Sequence, residues 1–172
     1  MGKSNAQKSG KSSAQRKAEM LAKKKAQVAQ GLFSLRDARE SDWSALNAYA
    51  NLEGMDAMPG IDNIVVAVNS KDQVVGFIRI ALGANGIAHV NPIVTASTWR
   101  GYGVGRALTQ AMLEKYGELR LVSRGWSLGF YQALGFDEIP WTDIDRAVVD
   151  DCDGCEMYAE CRPVPMGKKL SE

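Results

Sequence analysis

Cysteine is scarce in this chain. There are three, and all fall within residues 152–161. A local cluster of odd number excludes a disulfide framework and points to a reducing compartment. Long apolar runs are absent too: none reaches the roughly 18 residues needed to cross a bilayer. The first residues have no hydrophobic signal core, which argues against export and for a cytoplasmic protein. Met1-Gly2 is not followed by the Ser/Thr of a myristoylation signal. Residues 1–30 hold no aromatic side chain and, apart from Val28, no β-branched one. They cannot bury enough apolar area to offset their ordering entropy, so disorder is expected over residues 1–13.

What is present divides in two. The chain has 172 residues, 45% hydrophobic and 24% charged, as in an ordinary globular domain. That balance excludes collagen-like and fully disordered classes. The net charge of +1 hides a split. Residues 1–30 carry eight Lys/Arg against Glu19 alone, and residues 31–172 carry 13 basic against 19 acidic side chains. A basic extension (1–30) therefore precedes an acidic domain (31–172). Ala, Gln, Lys, Glu, Met and Leu from Ser13 onward favour a frayed helix over about 13–29. The extension reads as a solubilising arm. Contact with nucleic-acid phosphates is the less favoured reading, because nothing there could stack on bases.

Within the domain, a short strand is expected at 33–36. Ser41 caps a helix over about 42–50, with Trp43, Leu46 and Ala50 at helical spacing. A loop spans 51–60. Strands at 64–68, 74–81 and 87–95 form a meander. A Gly-rich turn at 101–105 opens an amphipathic helix that buries Leu108, Met112 and Leu113 and ends near Lys115. A strand at 119–123, a helix at 127–134, a strand at 136–139 and a final strand from Met157 to Leu170, bent at Pro163 and Pro165, complete the pattern. This is an α+β arrangement: a mixed, mostly antiparallel sheet flanked by helices, in one domain.

The turn reads Arg100-Gly101-Tyr102-Gly103-Val104-Gly105-Arg106. Glycines let a backbone approach a ligand closely, and a helix N-terminus favours an anion. A phosphate cradle and a tight turn needing glycine only for its geometry both fit. The spacing matches neither the G-x-G-x-x-G of a dinucleotide site nor a P-loop. About 30 residues on stands Phe130-Tyr131-Gln132-Ala133-Leu134-Gly135-Phe136. R-x-x-G-x-G opening a helix, then F-Y-x-x-L-G-F, resembles the GNAT superfamily of N-acetyltransferases over about residues 33–140.

That resemblance implies acetyl-CoA as co-substrate. It assigns the pyrophosphate to the amides of Gly101, Tyr102, Gly103, Val104 and Gly105, with Arg100 and Arg106 beside them. It implies that the strand before the turn splays from its neighbour, so that the pantetheine arm lies along Ile93, Val94 and Thr95. One backbone N–H there would serve as the oxyanion donor. It gives Tyr131 the role of protonating the departing thiolate, with simple packing against the cofactor as the alternative. Phe130, Leu134 and Phe136 read as core. Two departures stand out. Arg124 occupies the place of an Asn that many members use on the cofactor arm. No acid stands on the strand 87–95, where some members carry a catalytic Glu. That strand holds the only histidine, His89, whose alternation with Asn91, Ile93 and Thr95 would turn it toward the cleft as a base. A hydrogen-bonded sheet histidine is the other reading. The expected activity is acetyl transfer to a primary amine of a small molecule or protein by direct attack. The alternative is a non-catalytic acyl-CoA-binding module. No membrane partner is expected, and a homodimer stays open.

The segment 141–161 carries Cys152-x2-Cys155-x5-Cys161. The first pair has zinc-knuckle spacing, but no fourth ligand is at hand. Thiols or a reversible disulfide are expected, with no metal. Asp143, Asp145, Asp150, Asp151, Asp153, Glu156 and Glu160 crowd the same segment. They read as a solvated acidic loop or as an attractor of cationic amines.

Overall fold

A computed structural model describes residues 12–29, 31–149 and 152–170. The expected disorder over 1–13 falls, for residues 1–11, outside the described residues, as do Asp150 and Asp151. Helix α1 (Ser13–Ala29) forms where its composition favours it. Met20 and Leu21 on it face solvent. The domain then runs β1 (Phe33–Asp37), α2 (Trp43–Leu52), β2 (Ile64–Asn69), β3 (Val74–Leu82), β4 (Ala88–Thr95), α3 (Val104–Tyr116), β5 (Glu118–Ser123), α4 (Leu128–Ala133), β6 (Asp137–Glu138), α5 (Tyr158–Cys161) and β7 (Val164–Lys169).

The strands form one sheet in the order β1-β2-β3-β4-β5-β7-β6. Only β4 and β5 pair in parallel; the other neighbours are antiparallel. Alternating residues bury opposite faces. Ile78, Ile80, Val90, Leu119 and Leu121 pack with Val104, Leu108, Met112 and Leu113 of α3 and with Tyr131 of α4. Val66, Val68, Phe77 and Val94 pack with Leu46 and Ala50 of α2. Burial on both faces explains why β2 and β3 read as near-continuous apolar runs. At β1, the Arg36 guanidinium clasps Asp42 at 2.7 and 3.0 Å and reaches Asp72 at 2.9 Å. That pairing holds the Asp42 carboxyl below the usual carboxylate range.

Three expectations are corrected. Trp43 opens α2 but stays exposed, while Leu46 and Ala50 are fully buried. Phe130 is 39% exposed rather than core. The final strand is shorter than 157–170. Tyr158–Cys161 is a helical turn closed by Cys161 N–H to Met157 O at 2.7 Å. Arg162 then adopts a left-handed φ of 46°, and Pro163 cannot donate a ladder bond, so pairing begins at Val164.

Candidate active site

The sheet opens in its middle. Strand β4 pairs with β5 only at Ala88↔Leu119 and His89↔Arg120. Strand β5 goes on pairing with β7 as far as Ser123↔Val164. Residues 90–95 of β4 therefore have no partner on the β5 side. The phase of β4 follows from the Ala96 N–H to Val75 O bond at 2.9 Å and the opposition of Thr95 to Gly76. In antiparallel alternation Val94 then exchanges its bonds with Phe77, and Ile93 and Thr95 turn theirs into the gap. Of the three residues expected along the cofactor arm, Val94 thus spends its backbone on β3 and its side chain on the core. Ile93 and Thr95 keep their amides for the gap.

The Gly-rich turn sits at the head of that gap. Gly101 and Gly103 have φ of 83° and 84°, left-handed values that side chains rarely adopt. Gly103 is the N-cap of α3, and no side chain caps the helix. The first N–H groups of α3 thus stay available to an anion, with the positive end of the helix dipole behind them. Space there is tight. A Cβ at Gly76 would lie 2.8 Å from Val104 Cγ1 and 2.9 Å from Val94 O, so glycine lets α3 start directly on the sheet. A Cβ at Gly105 would lie 3.1 Å from Phe130 Cζ and 3.5 Å from Thr95 Oγ1. The turn, β4 and α4 therefore converge at one place. Arg106 is exposed. Tyr102 packs its ring near Trp99, 6.0 Å between centroids.

Tyr131 stands on α4 behind Phe130, their ring centroids 5.0 Å apart, with Phe136 at 5.6 Å. It is buried, and burial pushes its phenol pKa up. It therefore holds its proton at neutral pH.

His89 is placed differently from the alternation argument. Ile78 opposes Ile93, but Ile80 opposes Val90, so β4 carries one extra residue between them. That bulge reverses the parity of the strand. His89, opposite Ala81, lies on the α2 face, while Ile93 and Thr95 share the α3 face. The ring is fully buried. Its Nδ1 lies 3.0 Å from Ile87 O, and its Nε2 accepts the Asp145 N–H at 3.2 Å. This requires the neutral Nδ1–H tautomer, and burial lowers the pKa in the same sense.

Sequence reasoning missed Glu53. Its carboxylate pairs with Arg100, and its backbone carbonyl accepts from Arg124 Nη1 at 3.0 Å. Arg100 also leans toward Thr95 O, 3.4 Å from Nε. No local motif marks such a residue, because its partners lie 47 and 71 positions away. The Arg124 guanidinium lies over Trp126, 5.7 Å from the ring centroid. A Cβ at Gly125 would lie 2.9 Å from Cys161 O, so the cysteine segment borders the same rim. Two acids of that segment are engaged elsewhere. Asp145 accepts from the amides of Ala84 and Ala147 at 2.8 and 3.0 Å, and Asp153 pairs with Arg146. Among the described residues, no three His, Cys, Asp or Glu gather to hold a metal ion, and no helix is long and apolar enough to cross a membrane.

Residues 61–138 match the model of a family described as an acetyltransferase (GNAT) domain. The match runs from the start of β2 to β6 and includes both the turn and Tyr131. No protein of curated function matches the chain. Ard1 from Thermoplasma volcanium superposes with a TM-score of 0.62 at 17% identity, covering 82% of this chain and 99% of its own. Rv2747 from Mycobacterium tuberculosis, solved with CoA, gives 0.66 at 16% identity, covering 80% and 99%. N-acetylglutamate synthase from Neisseria gonorrhoeae, complexed with coenzyme A and N-acetyl-glutamate, gives 0.63 at 12% identity, covering 81% and 35%. The family match takes in residues 61–138, and the seven-stranded mixed sheet has the fold of these acetyltransferases.

Proposed function

We propose that the chain is an N-acetyltransferase that moves the acetyl group of acetyl-CoA to a primary amine by direct attack. The observation that carries this reading is a convergence. A half-open β4–β5 gap, an uncapped glycine-rich helix start and a buried phenol meet at Gly105, Thr95 and Phe130–Tyr131. Bound acetyl-CoA supplies an activated thioester. The amides of Gly101 to Gly105 and the start of α3 hold its diphosphate, with Arg106 adding charge nearby. Ile93 and Thr95 offer backbone N–H groups to the pantetheine arm and to the thioester oxygen as it gains charge. Tyr131 donates its O–H to the leaving sulfur.

The amine needs no protein base if it arrives unprotonated and sheds its proton to water after attack. Strand β4 carries no acid, and both ring nitrogens of His89 are engaged. We assign His89 to holding the Asp145 loop against the sheet. The same lack favours a second reading, a module that binds acyl-CoA without turning it over.

Both readings face one test on the purified full chain. Calorimetry measures CoA binding, and thiol release from acetyl-CoA is followed with a panel of amines. Binding with amine-dependent thiol release supports the enzyme. Binding with no release for any amine selects the module, and absence of binding removes both.

A further inference from the structure

We propose that the acceptor carries a carboxylate beside its amine, and that Arg124 recognises it. The inference rests on the acetyltransferase reading and names the substrate class of that site.

One face of the sheet remains for the acceptor. The glycine turn and Tyr131 belong to the α3 face of the sheet. A thioester reaching into the gap from that side leaves the α2 face for the amine. Alternation along β5 turns Leu119 and Leu121 to the α3 face, so Arg120 and Arg124 project to the α2 face. There Arg124 sits at the end of the strand that forms one wall of the gap.

Charge decides the class. Arg36, Arg39, Arg100, Arg120 and Arg146 each meet a carboxylate. Arg124 does not. Its one protein hydrogen bond among the described residues goes to the neutral carbonyl of Glu53. The carboxylate of that same Glu53 is taken by Arg100. A half-buried guanidinium with four N–H groups left over is a poor neighbour for a cationic amine and a good one for a carboxylate. The Trp126 ring beneath it and the bond to Glu53 hold its plane, so little ordering entropy remains to be lost on binding. Arg79, also on the α2 face, is likewise half-buried and bonds only the Asn91 carbonyl, at 2.8 Å. Arg124 and Arg79 are thus two guanidiniums of the α2 face that meet no carboxylate among the described residues. Of the acids in 141–161, Asp145 binds the Ala84 turn and Asp153 pairs with Arg146.

The test uses pairs of amines that differ only in the carboxylate. Each of the common amino acids is compared with its C-terminal amide, with putrescine and spermidine as cationic references. Thiol release gives kcat/KM, corrected for the fraction of unprotonated amine. The best amino acid should exceed its amide about tenfold or more, the scale of one charge-assisted hydrogen bond. Arg124→Gln should bring that ratio close to one, mainly by raising KM for the acid, with an unchanged melting temperature. Arg124→Lys, which keeps the charge, should restore part of the preference and covers the case in which the Gln variant does not fold. Amides or polyamines that equal the acids would overturn the proposal. So would an Arg124→Gln variant that lowers acid and amide alike. If no amine supports turnover, the acetyltransferase reading fails separately. Calorimetry of the CoA-loaded protein with N-acetylated amino acids and their amides then decides the inference. Binding that needs the carboxylate and Arg124 upholds it, and equal or absent binding overturns it.

Discussion

On the α3 face the residues that matter are neighbours in sequence. Gly101 to Arg106 lie in one turn, and Phe130, Tyr131 and Phe136 lie within a few residues of one another. On the α2 face they come from afar: Glu53 meets Arg100 and Arg124 across 47 and 71 residues. The first face depends on backbone shape, which glycine and a helix start encode locally. The second depends on side chains that only the finished sheet brings together. On the proposed function, cofactor recognition is a local property of this chain and acceptor recognition a tertiary one.

The sharpest way to break that comparison is Gly103→Val. The position has a φ of 84° and caps α3, so a β-branched residue must either strain the turn or reshape it. CoA binding, read by calorimetry, should fall below detection while far-UV circular dichroism stays native. Glu53→Gln, on the other face, should leave CoA affinity within about threefold, since it breaks one exposed ion pair. Unchanged affinity in folded Gly103→Val would remove the cradle from the turn.

Tyr131→Phe comes next. It keeps the ring packed against Phe130 and Phe136 and removes only the proton. Turnover should drop by roughly 10²-fold, the scale of a lost general acid, with CoA affinity little changed. Because burial pushes the phenol pKa up, Tyr131 should contribute no alkaline loss of activity near neutral pH. Equal turnover of the two proteins, with chemistry rate-limiting, would leave Tyr131 a packing role.

What was legible follows the same division. The meander, the turn, the helix with Leu108, Met112 and Leu113 and the segment containing Tyr131 all announce themselves by period or by glycine. His89 shows where this fails. Strict alternation put it on the same side as Ile93 and Thr95. A single extra residue between Val90 and Ile93 reverses that parity, and Pro92, a residue that sheets confine to edges and bulges, was its one mark in the sequence. Arg124 was visible as a departure from the family pattern, but its partner Glu53 was not. Phe130 looked like core from its hydrophobicity, yet it lies over Gly105 at the mouth of the gap.

His89 gives a smaller, pH-dependent effect. Its folded pKa lies below the ordinary 6.5, so the unfolded chain binds the proton more tightly. Stability from this group is full above about pH 6.5 and declines as the pH falls below it. In thermal melts from pH 8 to pH 5, His89→Gln should lose fewer degrees over that range than the parent. Its turnover at pH 8 should stay within about threefold, because the ring is spent on Ile87 and Asp145. A collapse of turnover with unchanged stability would instead make His89 the base that the amine lacks.

The smallest effect is expected from removing residues 1–30. Opposite charge is the one force that would draw this basic segment to the acidic domain, and exposed charges are largely screened beyond about 10 Å at 0.1 M salt. Packing offers little to add. The side chains of residues 13–21 on α1 are exposed, including the two large apolar ones, Met20 and Leu21. A chain beginning at Gly31 should keep its turnover and melt within about 2 °C of the parent, less than the shift from one kcal/mol in a domain of this size. The comparison of the two faces then holds within residues 31–172 alone. A melting temperature several degrees lower, recovered by neither salt nor pH, would mean that α1 buries apolar area on the domain. A loss that appears only at low salt would mean that charge holds it there.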